Sequence, residues 1–284
     1  MTSTHKHTTA ENSPPPSADA SDEAVLGSRQ IKRYGWVPDI PDTSDLLFSA
    51  SEAVLATLPP SADLRPQCPT IYDQGQLGSC TANAIGAAYE FMQTKEGQPD
   101  FTPSRLFIYY NERRIEGTVG EDSGAMIRDG IKSVHKLGVC TETTWSYEIA
   151  KFADKPPAAA YTEAKTHQAT VYRRVLQNLR QIQGALAAGV PVVFGFTVYE
   201  SFESQDVAKT GAVPMPARSE KVLGGHAVLA VGYDDAAQTF LVRNSWGTGW
   251  GQAGYFTMPY AYVTDPQLAQ DFWAVYAVEE TTKP

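Results

Sequence analysis

The sequence predicts an α+β fold in two segregated lobes, helical first and β-rich second. Three observations predict it. Apolar residues recur at three- and four-residue spacings through the first part of the body, as on one face of a helix. Beyond Pro191, short runs rich in β-branched and aromatic residues follow one another at strand length. Helices first and strands later separate the two kinds of element, and 284 residues suffice for one large unit or two lobes with a sizeable core.

Residues 1–24 are rich in Ser, Thr, Pro, Ala and acids and have little to bury, so disorder is expected there. The stretch 25–57 reads as an extended arm. Within it, Tyr34-Gly35-Trp36-Val37-Pro38-Asp39-Ile40 interleaves aromatic and aliphatic residues with proline, and such an apolar strip needs a surface to cover. The body is expected over 58–284, opening at Leu58-Pro59-Pro60, with a first lobe mainly over 70–165 and a second mainly over 166–278.

A first helix is predicted over 80–93, where Ala82, Ile85, Tyr89 and Met92 mark one buried face. A second follows Asp122-Ser123 and carries Ile127, Ile131, Val134 and Leu137, with Gly138 as its stop. A third is predicted from Tyr172, Val175, Leu179, Ile182 and Leu186, ending near Gly189. Strands are predicted at Val192–Val198, Ala227–Tyr233, Phe240–Arg243, Gly254–Met258 and Phe272–Val278.

The formal charge of −9 argues against broad nucleic-acid binding, which needs a basic face. No apolar run approaches the ~20 residues of a membrane span, and the first 30 residues lack the apolar core of a secretory signal. The expectation is a monomer with no membrane partner, in the cytoplasm or exported without a Sec-type signal. The histidines lack metal-cluster spacing, so no metal is expected. Three cysteines cannot build a disulfide scaffold; Cys68 and Cys140 could form one bridge or remain buried thiols.

Cys80 carries the chemistry. It opens the first predicted helix, where unpaired backbone N–H groups favour a thiolate, and a nearby imidazolium would lower its pKa further. A lone cysteine at a helix start is more often a small buried hydrophobe. Here His226 opens a strand and Asn244 closes the next, on either side of the turn Asp234-Asp235-Ala236-Ala237-Gln238. An antiparallel hairpin about that turn brings His226 and Asn244 within a register step or two. The histidine can then take the thiol proton while the Asn244 amide oxygen orients the ring. Gln74 and the Cys80 backbone N–H are the expected oxyanion donors. Gly78, Ser79 and Ala82 leave room for a substrate backbone, and Trp246 is placed to shield the His–Asn bond.

These motifs, Gln74-Gly75-Gln76-Leu77-Gly78-Ser79-Cys80, His226-Ala227-Val228 and Asn244-Ser245-Trp246-Gly247-Thr248-Gly249-Trp250-Gly251, resemble in order and kind those of papain-family cysteine peptidases, in particular a bacterial branch. The resemblance covers Leu58 to the C-terminus. It implies a helical left lobe carrying Cys80, a β-barrel right lobe carrying His226 and Asn244, and between them a cleft where peptide bonds are hydrolysed through an acyl-thioester, with no cofactor. It also implies a substrate-pairing edge at Gly124 and Ala125. Gly225, before the histidine, leaves no acid there, so no strong charge selection is expected from that position. Thr81 stands where the family usually has Trp, and Leu77 and Asp122 stand where a familiar disulfide usually lies. The reading is an endopeptidase acting on peptides or proteins, with the arm docked on or near the cleft as a restraint. Its alternatives are acyl or amide transfer by the same pair, and an inactive peptide-binding relative.

Overall fold

The computed structural model describes Met1 and residues 34–280; the expectation of disorder over residues 1–24 lies outside the described residues. In chain order the elements are β1 (Trp36–Val37), β2 (Leu47–Phe48), α1 (Glu52–Ala56), β3 (Ser61–Asp63), α2 (Cys80–Lys95), α3 (Arg105–Glu116), β4 (Ala125–Met126), α4 (Ile127–Leu137), α5 (Ala158–Ala164), β5 (His167–Val175), α6 (Leu179–Ala187), β6 (Val192–Tyr199), α7 (Gln205–Thr210), β7 (Val222–Asp234), β8 (Thr239–Arg243), β9 (Tyr255–Pro259), α8 (Tyr260–Thr264) and β10 (Ala269–Glu280). The helices α2, α3 and α4 form one lobe. The other is an eight-stranded sheet in the order β2-β5-β10-β6-β7-β8-β9, with β3 added on β7.

Cys80 opens α2 as expected, but this helix is buried on both faces rather than one, from Cys80 through Gln93. Its small residues allow this: Ala82, Ala84, Ala87 and Ala88 let α3, α4 and the sheet approach closely. The helix α3 had no counterpart in the sequence reading. Its polar run Asn111-Glu112-Arg113-Arg114 hides the periodicity, although the Ser104 hydroxyl caps it by accepting from Phe107 N and Gly117 ends it in the left-handed region. The predicted second helix is α4, stopped at Gly138, and it starts at Ile127 because Ala125 and Met126 pair with Trp36 and Val37.

The third predicted helix is corrected. Tyr172 and Val175 lie in β5, paired antiparallel with Val275 on β10 and parallel with Phe48 on β2, and only Leu179–Ala187 is helical. Apolar residues three apart fit a short strand as well as a helix, and the sheet partners decide. All five predicted strands are present; four are longer by one to six residues, and the one expected at Gly254–Met258 is shifted by one residue to Tyr255–Pro259. Cys68 and Cys140 are both free thiols, so the possible bridge is absent. Cys68 leans on Leu64 O at 3.5 Å near Arg243, while Cys140 is buried where its carbonyl accepts from Ser104 N, so the two thiols belong to different neighbourhoods.

The segment after β1 is strapped to the body by a buried charge cluster. Asp39 accepts from Arg128 N at 3.0 Å and from Trp273 Nε1 at 2.8 Å. Asp45 pairs with Arg128 at 2.5 Å and with Arg174 at 3.3 Å, and Arg174 reaches Asp271 at 3.2 Å. Phe48 and Ala50 are buried, and Ala50 N donates to Gln181 Oε1 at 2.9 Å. Residues 38–50 are thus part of the folded body. Asp45→Asn, which weakens the partner of two guanidinium groups in a poorly solvated site, is expected to lower unfolding free energy by about 3 kcal/mol in a denaturant titration.

Candidate active site

The hairpin β7–β8 sets the geometry. Leu229 pairs with Arg243, which brings His226 and Asn244 to the same end of the two strands. His226 Nε2 and Asn244 Oδ1 lie 2.9 Å apart, and both residues are buried. The amide oxygen can only accept, so Nε2 carries the proton and Nδ1 is left as the base. Nδ1 is buried and makes no hydrogen bond. The Trp246 ring stacks on the imidazole at 5.0 Å and 30°, and Phe196 meets it edge-on at 5.7 Å. The expected shielding of the His–Asn pair by Trp246 is therefore present in the packing.

Cys80 is fully buried at the N-terminus of α2, against β7: the backbone N–H groups of Ala227, Gly35 and Thr81 all act on its sulfur. Each favours a thiolate. Burial outweighs them and pushes the thiol up to about 12, while the same burial lowers His226 to about 4. The sequence predicts a lowered thiol pKa; here both groups are held neutral, because burial penalises the charged form of each.

Gln74 is buried, with its carbonyl oxygen accepting from Ser245 Oγ at 2.6 Å and its Nε2 donating to Leu77 O at 2.9 Å. That pinning fixes the amide so that its NH2 group faces the loop before Cys80, with a second N–H beyond the one given to Leu77. Gly78 lines the cleft. Ser79 does not: it is buried, its hydroxyl 2.5 Å from Tyr147 Oη and its carbonyl bonded by Asn83 Nδ2, so it shapes the loop rather than meeting a substrate.

The two departures from the family pattern have visible replacements. Asp122 accepts from Gly78 N at 3.0 Å and from Tyr109 Oη at 2.5 Å, tying together the loops that a disulfide would have joined. Thr81 donates to Glu112 Oε1 at 2.6 Å, and Glu112 is fully buried, which raises its pKa well above the usual carboxylate range. Sequence reasoning missed Tyr109 and Glu112 because α3 itself was missed.

Residues 34–37 pack beside Cys80 and His226. Gly35 O accepts from Ala125 N at 2.8 Å, and β1 runs parallel to β4. A Cβ on Gly35 would fall 1.7 Å from Gly78 O, and one on Gly124 would fall 2.2 Å from Gly35 O, so two glycines make this approach possible. Tyr34 bonds Glu203, and its ring lies 6.0 Å from that of His226. The Trp36 ring lies against Gly195 and Gly225. Of the expected substrate-side residues, Gly78, Gly124, Ala125, Gly225 and Trp246 surround this segment.

The chain belongs to the papain family of cysteine proteases: residues 58–274 match the pattern of that family. It is 46% identical to xylellain, a cysteine protease from Xylella fastidiosa, over 87% of this chain and 97% of that one, with a TM-score of 0.82. It is 45% identical over 278 residues to an uncharacterized peptidase C1-like protein, L477, of Acanthamoeba polyphaga mimivirus, spanning 89% of this chain and 88% of that one. A procathepsin B of Trypanosoma congolense shares the fold, with a TM-score of 0.68 at 18% identity. The protein is thus a papain-like cysteine endopeptidase; the expected bacterial affinity fits xylellain, and another near relative is viral.

With the thiol raised to about 12 and the imidazole lowered to about 4, the thiolate is nearly absent at neutral pH. Alkylation of Cys80 by iodoacetamide in the full chain should therefore be slow at pH 7 and climb steadily toward pH 10. In Trp36→Ala, where water re-enters, the climb should begin at lower pH; mass-spectrometric rate profiles over that range read the difference.

Proposed function

We propose that Cys80 is the nucleophile of peptide-bond hydrolysis, that His226 and Asn244 serve it, and that Tyr34–Val37 hold the enzyme latent. The observation that carries this reading is the 2.9 Å bond from Asn244 to His226 Nε2, which leaves Nδ1 unengaged beside the strand that packs on Cys80.

The reaction follows from these positions. Nδ1 takes the thiol proton as the sulfur attacks the scissile carbonyl carbon, and the C–O π electrons move to oxygen. The Cys80 backbone N–H and the second Gln74 N–H are the donors for that oxyanion. Collapse expels the amine, which leaves with the proton from Nδ1, and the acyl group remains on sulfur as a thioester. Water then gives a proton to Nδ1 and adds to the thioester; collapse returns the thiol and releases the carboxylic acid.

Latency rests on two effects of the arm. It occupies the edge at Ala125 and turns the Gly35 N–H, rather than a carbonyl carbon, toward the sulfur. It also keeps water out, so that the thiol and imidazole stay neutral. The substrates are peptides or proteins, and the strap over residues 38–50 stays folded on the body while the cleft is used.

Stoichiometric labelling of Cys80 by an epoxysuccinyl peptide tests the reading. Trp36→Ala should label and turn over peptides faster than wild type, Cys80→Ala should do neither, and Gln74→Ala should lose about 100- to 1,000-fold in kcat. Equal labelling rates in wild type and Trp36→Ala would remove the latency claim. Labelling with no turnover would point to a binding protein instead.

A further inference from the structure

The two oxyanion donors named above are braced by a single run of polar side chains. Tyr147, in the loop between α4 and α5, sets its hydroxyl 3.0 Å from Gln74 O and 2.5 Å from Ser79 Oγ. Asn83, one turn into α2, reaches back with Nδ2 to Ser79 O at 2.9 Å and to Ser79 Oγ at 3.0 Å. Arg105, the first residue of α3, places Nη1 3.1 Å from Asn83 Oδ1 and 3.2 Å from Asp73 O. Its guanidinium pairs with Glu142 at 2.6 Å and lies over the Tyr147 ring at 4.0 Å. Gln74, Ser79, Asn83 and Arg105 are all buried, so a polar group that loses its partner here finds little water to replace it.

Donor counting gives this run a direction. A guanidinium can only donate, so Asn83 presents its amide oxygen to Arg105 and its NH2 group to Ser79. Gln74 O can only accept, so the single Tyr147 proton points at it. The Ser79 hydroxyl accepts from Asn83 and gives its own proton to Tyr147 Oη. Burial pushes the Tyr147 hydroxyl up to about 12, which keeps its proton in place at neutral pH. Hydrogen bonds aligned in one sense polarise one another. The run ends on the groups that matter. Ser79 O belongs to the peptide unit whose N–H is that of Cys80, and Asp73 O and Gln74 O belong to the two peptide units on either side of the Gln74 side chain.

We propose that Tyr147 is a positioning residue of the oxyanion hole, joining the Gln74 loop to the Ser79–Cys80 peptide so that both N–H donors face one point. Without its hydroxyl, Gln74 O and Ser79 Oγ each lose a partner, and nothing else in the run ties the two donors to each other. The hydroxyl is engaged by Gln74 and Ser79, so Tyr147 acts through them rather than on a substrate. Negative charge builds on the substrate oxygen only as the sulfur attacks, so the loss falls on kcat rather than on KM. The inference rests on the peptidase reading above.

The test uses the full chain bearing Trp36→Ala as the parent and a fluorogenic peptide as substrate. Adding Tyr147→Phe, which keeps a ring under Arg105, should lower kcat about tenfold while KM stays within about twofold. Ser79→Ala cuts the same run in its middle and should cost a similar factor, with the two together costing little more than either. In a Gln74→Ala background, Tyr147→Phe should cost less than about threefold, because the side-chain donor it positions is gone. Alkylation of Cys80 by iodoacetamide develops no oxyanion, so Tyr147→Phe should leave that rate within about twofold of the parent. A Tyr147→Phe variant with full kcat, an undiminished loss on top of Gln74→Ala, or an alkylation rate that changes along with kcat overturns the proposal alone. A parent that neither cleaves peptides nor is labelled at Cys80 would overturn the peptidase reading and this inference with it.

Discussion

The burial of α2 on both faces is the constraint on which the rest of this structure depends. Small residues along the helix let α3 and α4 close on one side and the sheet on the other. A helix gripped in this way cannot shift relative to β7 without opening cavities in both lobes. Cys80, its first residue, is therefore fixed against the Ala227 backbone, one residue from His226. The same packing explains why the replacements at the helix start are polar contacts at its margin. Thr81 bonds Glu112, and Asp122 bonds Gly78 N, so the loop entering the helix is held without a disulfide.

The nucleophile proposed here is fixed firmly, and the latency proposed for it rests on the arm. Its two parts differ in kind. Residues 38–50 are bound by buried ion pairs, two indole and guanidinium neighbours and a parallel strand pairing, which makes them structural. Tyr34–Val37 occupy the cleft through glycine-lined contacts and one backbone bond to Ala125. The charge cluster lies between the two parts, and Asp271 belongs to both: it holds the strap through Asp39 N and the cleft segment through Trp36.

The electrostatics of the site depend on which state is occupied. The backbone N–H groups of Ala227, Gly35 and, at the helix start, Thr81 act on the sulfur in the direction the sequence suggested, yet burial overrides them. The proposed latency therefore expects the thiolate to be favoured once water or substrate enters the cleft.

What the sequence determined by itself was the chemistry and much of the order of elements. The cysteine at a helix start, the hairpin that pairs His226 with Asn244, Gln74 upstream, and the run of late strands were all legible, because each is encoded in local spacing and turn chemistry. Short or polar elements were not. The helix α3 hides its periodicity under charged residues, and β5 shares its apolar spacing with a helix until β10 and β2 pair with it. Only the tertiary structure decided that Cys68 and Cys140 stay apart, that Ser79 turns inward, and that Trp36, Asp39, Asp45, Arg128, Arg174 and Asp271 converge. The last of these gathers side chains separated by more than 200 positions, as between Trp36 and Asp271. No periodicity or motif reports such a meeting. It follows from how the arm crosses both lobes, where each buried charge must find its partner.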